Sequence, residues 1–92
     1  MTADVAVMCE HGSHGWSCEV RVHENGTAST FEVSVSQQEF ERYAVPNEDV
    51  ATLVERSFRF LLEREPKEQI LRRFELGVIE RYFPEYAAWA VC

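Results

Sequence analysis

The chain has 92 residues, of which 46% are apolar, and its six Phe, two Trp and three Tyr are enough for one domain with its own core and too many for a disordered chain. Its sixteen acids and nine bases leave a net charge of −7, which disfavours sequence-independent binding of nucleic acid because phosphate backbones are also negative. No apolar run long enough for a membrane span and no basic-then-apolar leader occurs, so the sequence predicts neither a membrane segment nor a secretory signal.

The first fifteen residues allow two interpretations. Val5, Val7 and Cys9 alternate with other residues in the manner of a short strand, and residues 10–15 are typical of a flexible turn. Residues 1–15 therefore form either an extra strand or a poorly ordered extension.

Residues 16–36 predict a β-hairpin with one apolar face. Asn25-Gly26 is a strong two-residue turn signal, because both residues tolerate positive φ. Every second residue on either side of this turn is apolar, and these inward positions are Trp16, Cys18, Val20, Val22, Phe31, Val33 and Val35. A helical block must cover that face.

Two helices are predicted to follow the hairpin. Ser36 and Glu39 match the capping-box pattern, which starts a short helix at Gln37 that ends near Ala44. Asn47 is the expected cap of a longer amphipathic helix that runs to about Arg64.

The positions of the prolines predict where the remaining helices begin and end. Glu65-Pro66 ends the long helix, and Pro66 is well placed to begin a second one that carries Ile70, Leu71 and Phe74. A third short helix is expected over residues 76–82, and residues 86–90 can form a last turn. The predicted fold class is α+β, an antiparallel hairpin packed on three to four short helices, with a third strand if residues 1–15 are ordered. All of residues 1–92 form one domain, divided into the hairpin and a helical block at 37–90.

One motif carries a family resemblance. It consists of Ser57–Pro66, followed by Ile70-Leu71, Phe74, Ile79 and Tyr82-Phe83-Pro84-Glu85-Tyr86. The block resembles the signature of a family of small uncharacterised bacterial proteins that begin with a β-hairpin and end in these helices, and the resemblance covers roughly residues 16–86. It implies this fold and a bacterial origin, and it implies no activity.

The cysteines and histidines near the N-terminus are the candidate metal ligands. Two thiolates and two imidazoles can hold zinc, and the weak candidates are Cys9, His11, His14 and Cys18. The spacing lacks the paired ligands of familiar zinc fingers, and Cys18 lies at an inward position where a small buried thiol is expected. No metal and no cofactor is therefore predicted. Three cysteines without framework spacing are typical of a reducing cytoplasm.

Catalysis is not predicted. Cys9 lies among acids and Cys92 beside the terminal carboxylate, and both settings raise a thiol pKa instead of lowering it. The carboxylates Glu63 and Glu65 lie at a helix end, where capping and solubility explain them.

The basic residues are unevenly distributed. Residues 1–55 hold ten acids and two bases, whereas residues 56–81 hold five acids and seven bases. Those seven bases are Arg56, Arg59, Arg64, Lys67, Arg72, Arg73 and Arg81. All but Arg81 are the candidate binding residues.

The leading functional hypothesis is a non-enzymatic cytoplasmic module that binds a protein partner or forms a homodimer, because apolar residues exceed what a two-stranded hairpin can cover. The alternative is a nucleic-acid-associated regulator that uses the basic helical face, although the net charge disfavours it. A small metal-binding protein or enzyme is the third hypothesis.

Overall fold

A computed structural model describes residues 3–91. Its four strands are β1 (Asp4–Gly12), β2 (Gly15–Glu24), β3 (Thr27–Ser36) and β4 (Arg73–Glu75). Its four α-helices are α1 (Gln37–Tyr43), α2 (Val50–Leu62), α3 (Val78–Tyr82) and α4 (Tyr86–Ala90), and a 3₁₀ turn spans Lys67–Gln69. The strands form one sheet in the order β1-β2-β3-β4, in which β1, β2 and β3 are antiparallel and β4 runs parallel to β3.

The predicted hairpin is confirmed as β2 and β3. Asn25 and Gly26 both adopt positive φ, 55° and 79°, as a two-residue turn between twisted strands requires. The strand interpretation of the N-terminal segment holds for Asp4–Gly12, which pairs one residue to one residue with β2 along its whole length. Met1 and Thr2 lie outside the described residues.

The helix starts follow local capping chemistry. Ser36 Oγ accepts from the Glu39 backbone N–H at 3.0 Å, and the Glu39 carboxylate accepts from the Ser36 N–H at 2.9 Å, which confirms the capping box. The predicted cap of α2 was wrong by two residues. Asp49 caps this helix by accepting from the Thr52 N–H at 2.8 Å, while Asn47 lies before it with a left-handed φ of 69°.

The predicted second helix after Pro66 was also wrong. Only the short 3₁₀ turn forms there, and Phe74 then lies in β4. The outer edge of β3 offers backbone groups that need partners, and β4 supplies them: the Glu32 N–H donates to the Arg72 carbonyl at 2.8 Å, and the Leu76 N–H donates to the Ser34 carbonyl at 2.9 Å. The sheet therefore has four strands instead of two or three, one of them inside the predicted helical block.

All four helices lie on one face of the sheet, so the fold is a two-layer α+β domain. Phe31 of β3 packs on Phe58 of α2 at a ring-centroid separation of 5.2 Å. Buried Tyr86 bonds the Ser57 hydroxyl at 2.6 Å, and Ser57 in turn donates to the Leu53 carbonyl at 2.8 Å. No helix within residues 3–91 is both long and apolar enough to cross a lipid bilayer.

Candidate interaction surface

The outer edge of β1 is a long strand edge that is unpaired within residues 3–91. β1 is an edge strand of nine residues, and within residues 3–91 no strand pairs with its outer side. At the other edge, β4 has only three residues. Long unpaired edges tend to recruit a further strand, because their outward-facing peptide groups lack a strand partner.

Strand geometry defines which peptide groups face outward. The Cα atoms of Cys9 and Cys18 are 4.0 Å apart, the short spacing of a non-hydrogen-bonded antiparallel pair. Hydrogen-bonded and non-hydrogen-bonded pairs alternate along the ladder, so Val5, Val7 and His11 also form non-hydrogen-bonded pairs with β2. The backbone N–H and C=O groups of these four residues therefore point away from β2, toward the outer edge.

The edge lacks the features that usually prevent strand pairing. The sequence of β1 has no Pro, Lys or Arg, and its one-to-one register with β2 contains no bulge. Met8 at its centre is 74% exposed, the most exposed large apolar residue described. Only Asp4 and Glu10 bring charge to the strand apart from His11.

The sheet face that carries Met8 is not covered by any helix of residues 3–91. We call this face the open face; its exposed residues are Asp4, Ala6, Met8, Glu10, Ser17, Glu19, Arg21, His23, Ala28, Thr30, Glu32, Ser34, Arg73 and Glu75. Met8 is in cross-strand register with Glu19, which lies directly opposite Glu32. Because like charges opposite each other are unfavourable, this row favours a partner that does not add a further acid.

The candidate basic residues do not converge on one surface. Arg56 forms an ion pair with buried Glu48, with the Arg56 Nε and Glu48 Oε2 atoms 2.8 Å apart, and its guanidinium lies 5.0 Å from the Trp89 ring centre. Arg59 pairs with Glu55 at 3.3 Å and donates to the Ala3 carbonyl at 3.2 Å.

Arg64 stacks on the Phe60 ring at 3.5 Å from its centroid and donates to the Phe60 carbonyl. The guanidinium is thus held against the core, with Glu63 and Glu85 carboxylates at 3.5 and 3.4 Å. Such a stacked and paired arginine stabilises the helix end.

The other three candidates secure the β4 side of the molecule. Lys67 is buried and its ammonium donates to the Thr27 hydroxyl at 2.8 Å and to Glu68, which holds the pKa of the Glu68 carboxyl below its usual range. Arg72 donates to the Thr30 carbonyl at 3.4 Å. Arg73 pairs across the sheet with Glu32 at 2.9 Å.

A disulfide bond removes both cysteines from the set of candidate metal ligands. Cys9 and Cys18 form a disulfide between β1 and β2, so neither sulfur offers a thiolate for metal. His11 stacks on Trp16 with ring centres 4.8 Å apart. Among the described residues, no three His, Cys, Asp or Glu side chains are grouped as metal ligands. Cys92 lies outside the described residues.

A further polar cluster joins α1 to α3. Glu80 accepts from the Tyr43 hydroxyl at 2.7 Å and from the Arg42 guanidinium at 2.9 Å, and these bonds lower the pKa of Glu80. Burial, together with the bond to Glu80, raises the pKa of Tyr43. With Arg42 and Tyr43 of the α1 helix both bonded to Glu80 of α3, this cluster connects two helices and presents no spare nucleophile.

One apolar hollow lies between β4 and α3, with Leu71 and Tyr82 exposed at its rim and Phe74 and Ile79 at its floor. It has room for about 30 Å³, which is little more than one water molecule. It does not form a small-molecule pocket.

Comparison of the chain with family models, with curated proteins and with solved structures finds no match. The edge of β1 was missed by the sequence reasoning, although the alternation of Val5, Val7 and Cys9 and the absence of Lys and Pro were visible signals.

Proposed function

We propose that this protein is a non-enzymatic self-association module, and that two copies pair through the outer edges of their β1 strands. The observation that carries the proposal is the nine-residue, unprotected outer edge of β1 with Met8 exposed at its centre. Antiparallel pairing of two such edges continues the sheet from one copy into the other about a two-fold axis.

Charge and length favour one register. If Met8 lies opposite Met8 of the second copy, Asp4 lies opposite Gly12 and the strand is paired over its whole length. Glu10 then lies opposite Ala6, so no two acids oppose each other. A register centred on Val7 would put Asp4 opposite Glu10 twice, which is unfavourable.

The same register satisfies the backbone. Val7 lies opposite Cys9, and Val5 opposite His11, and all four have outward peptide groups with an N–H to donate. The two copies can therefore exchange about eight hydrogen bonds, since each hydrogen-bonded pair in an antiparallel ladder contributes two. Met8 of each copy loses much of its exposed surface at the centre.

Nucleic-acid binding, the alternative that the sequence suggested, receives less support. The six candidate bases are dispersed in ion pairs, stacking contacts and carbonyl hydrogen bonds within the chain. We also propose that the protein is bacterial and cytoplasmic, and that it belongs to the family that the helical motif resembles.

Sedimentation equilibrium over a range of concentrations tests the proposed pairing through β1. We expect a monomer–dimer equilibrium for the unaltered chain, and we expect Met8→Lys to weaken it by at least about tenfold, because two ammonium groups would meet at the axis. Ser34→Lys is the matched control, because it adds the same charge to the open face two strands from the edge. Monomers at every concentration, or equal weakening by both variants, would exclude pairing through β1.

A further inference from the structure

The Cys9–Cys18 disulfide joins β1, the strand of the proposed association edge, to β2. Cys18 is buried at 1% exposure, whereas Cys9 on the edge strand is only half-buried. The apolar packing of this strand is looser than that of β2, because its inward residues Val5 and Val7 are only partly buried while Val20 and Val22 of β2 are fully buried. A covalent bond thus holds a strand that apolar packing holds less firmly.

Thiol–disulfide exchange requires the attacking thiolate to approach in line with the S–S bond. Cys9 lies on the edge strand β1 and is partly exposed, whereas Cys18 is 1% exposed and lies on β2, between β1 and β3. On the far side of Cys18 from β1, Val33 of β3 is in register with it and is also buried. The sulfur of Cys9 is therefore the one that an external thiol can reach.

We propose that Cys9–Cys18 is a thiol-reactive redox pair whose state controls pairing through β1. A thiolate of a low-molecular-weight thiol attacks Cys9, forms a mixed disulfide with it, and releases Cys18 as a thiolate that takes up a proton. A second thiol then attacks the mixed disulfide, leaving Cys9 as a thiol and the two small thiols joined as a disulfide. Two electrons and two protons have moved, and the small disulfide is the oxidant for the reverse step.

This inference builds on the proposed function. In a reducing cytoplasm a protein disulfide is usually transient and regulatory, which matches an edge-exposed pair better than a structural crosslink. Reduction releases β1 from its covalent anchor, so an ordered strand edge is presented less often. A second copy on the edge, in turn, covers the path to Cys9. Covering slows the reduction of Cys9; separately, because reduction weakens the dimer, linkage requires that dimer formation makes reduction less favourable at equilibrium.

The experiment uses the full chain with Cys92→Ser, so that the third thiol cannot exchange, in mixtures of glutathione and its disulfide. Alkylation followed by mass spectrometry counts reduced cysteines in the native protein, while hydrogen exchange follows the β1 amides. We expect both cysteines to become alkylated without denaturant. We also expect β1 amides to exchange at least about tenfold faster, and the dimer to weaken by a similar factor.

Met8→Lys separates the two proposals. If the dimer is real, this more weakly associating variant is reduced faster than the parent, because its edge is covered less often. If no dimer forms in any state and the pair still exchanges with glutathione, the thiol reactivity of the pair stands, whereas self-association and its control by the pair both fail. If the dimer forms but the pair reacts only after denaturation, or if reduction leaves β1 exchange unchanged, the redox proposal is overturned.

Discussion

Glu48 and Arg56 form a two-contact ion pair, with Glu48 Oε2 at 2.8 Å from the Arg56 Nε and Glu48 Oε1 at 2.9 Å from its Nη2. The Glu48 side chain is 4% exposed and also accepts from the Val45 N–H at 3.1 Å. One carboxylate therefore ties the loop before α2 to the middle of that helix. Arg56, a candidate binding residue from sequence, functions as a structural residue.

Truncating Arg56 should destabilise the fold without a matching effect on association. We expect Arg56→Ala to lower the free energy of unfolding by about 3 kcal/mol, because it leaves the Glu48 carboxylate buried and unpaired. Chemical denaturation measures this change. Arg73→Ala is the control, because its pair with Glu32 is exposed and should be worth less than about 1 kcal/mol. Equal losses in the two variants would contradict the structural role of Arg56.

Two glycines offer a matched test of the sheet geometry. A Cβ on Gly15 would lie 2.1 Å from the Val35 carbonyl oxygen, and its φ is +140°. At Gly26, with φ +79°, a Cβ would meet nothing within 4 Å. We expect Gly15→Ala to cost more than about 3 kcal/mol, because β2 and β3 would have to separate, and Gly26→Ala to cost about 1 kcal/mol from backbone strain alone. Thermal unfolding of both variants, read against the parent, gives the comparison. A Gly15→Ala protein as stable as Gly26→Ala would contradict the β2–β3 register.

The elements that the sequence predicted correctly are those with local signals. Asn25-Gly26 defined the hairpin turn, and Ser36 with Glu39 defined the start of α1. Phe74 was misassigned because its apolar spacing fits a helix as well as a strand, and what decides between them is a long-range pairing with Val33 of β3. The disulfide was missed for the same reason, since Cys9 and Cys18 become neighbours only through the β1–β2 register.

The candidate surface was less predictable than the fold. The sequence identified the basic residues, but their contacts depend on residues that are distant in the chain. Lys67, for example, donates to Thr27, which is forty residues away. An open edge depends on which strands lie beside β1, and a single sequence does not contain that information in local form.

Alkali should destabilise the protein through Tyr86. Burial raises the pKa of this phenol well above its ordinary value of 10.0, so the folded state keeps the proton that the unfolded state loses. Stability is therefore fully present below pH 10 and declines as the pH rises from there toward the folded pKa. Tyr86→Phe should cost about 1 kcal/mol at neutral pH, for the lost bond to Ser57, and should reduce the alkaline decline.

The pH dependence of the denaturation midpoint measures both effects. Tyr82→Phe, at an exposed ring, is the matched control. Tyr43 keeps part of the alkaline sensitivity in either variant, because its own pKa is raised by burial. A Tyr86→Phe protein with the full alkaline decline of the parent would show that Tyr86 does not cause it.

The disulfide should contribute to global stability as well as to the edge. The two cysteines are nine residues apart in the sequence. For a loop of about that length, the chain-entropy relation gives a stabilisation of the folded state of roughly 2–3 kcal/mol. Replacing Cys9 and Cys18 by Ala in a Cys92→Ser background should lower the free energy of unfolding by that amount and leave the circular dichroism spectrum unchanged. A double variant as stable as its parent would show that the crosslink adds nothing to β1.

Salt should strengthen association. Each copy carries a net charge of −7, so two copies repel each other, and the proposed edge contains no Lys or Arg. Raising the ionic strength from about 0.05 M to about 0.5 M screens this repulsion and should tighten the dimer several-fold. Light scattering across that series measures it. Dissociation by salt would instead indicate a contact made by ion pairs.

Contact between the Met8 residues of two copies is the most direct test of pairing through β1. Met8 is one of only two methionines, so a sample mixed from copies with and without isotopically labelled methionine methyl groups gives a simple spectrum. The Met8-centred register predicts an intermolecular nuclear Overhauser effect between the two Met8 methyl groups, which should be kept in Ser34→Lys. A dimer in which the Met8 methyl group shows no intermolecular contact would contradict the account.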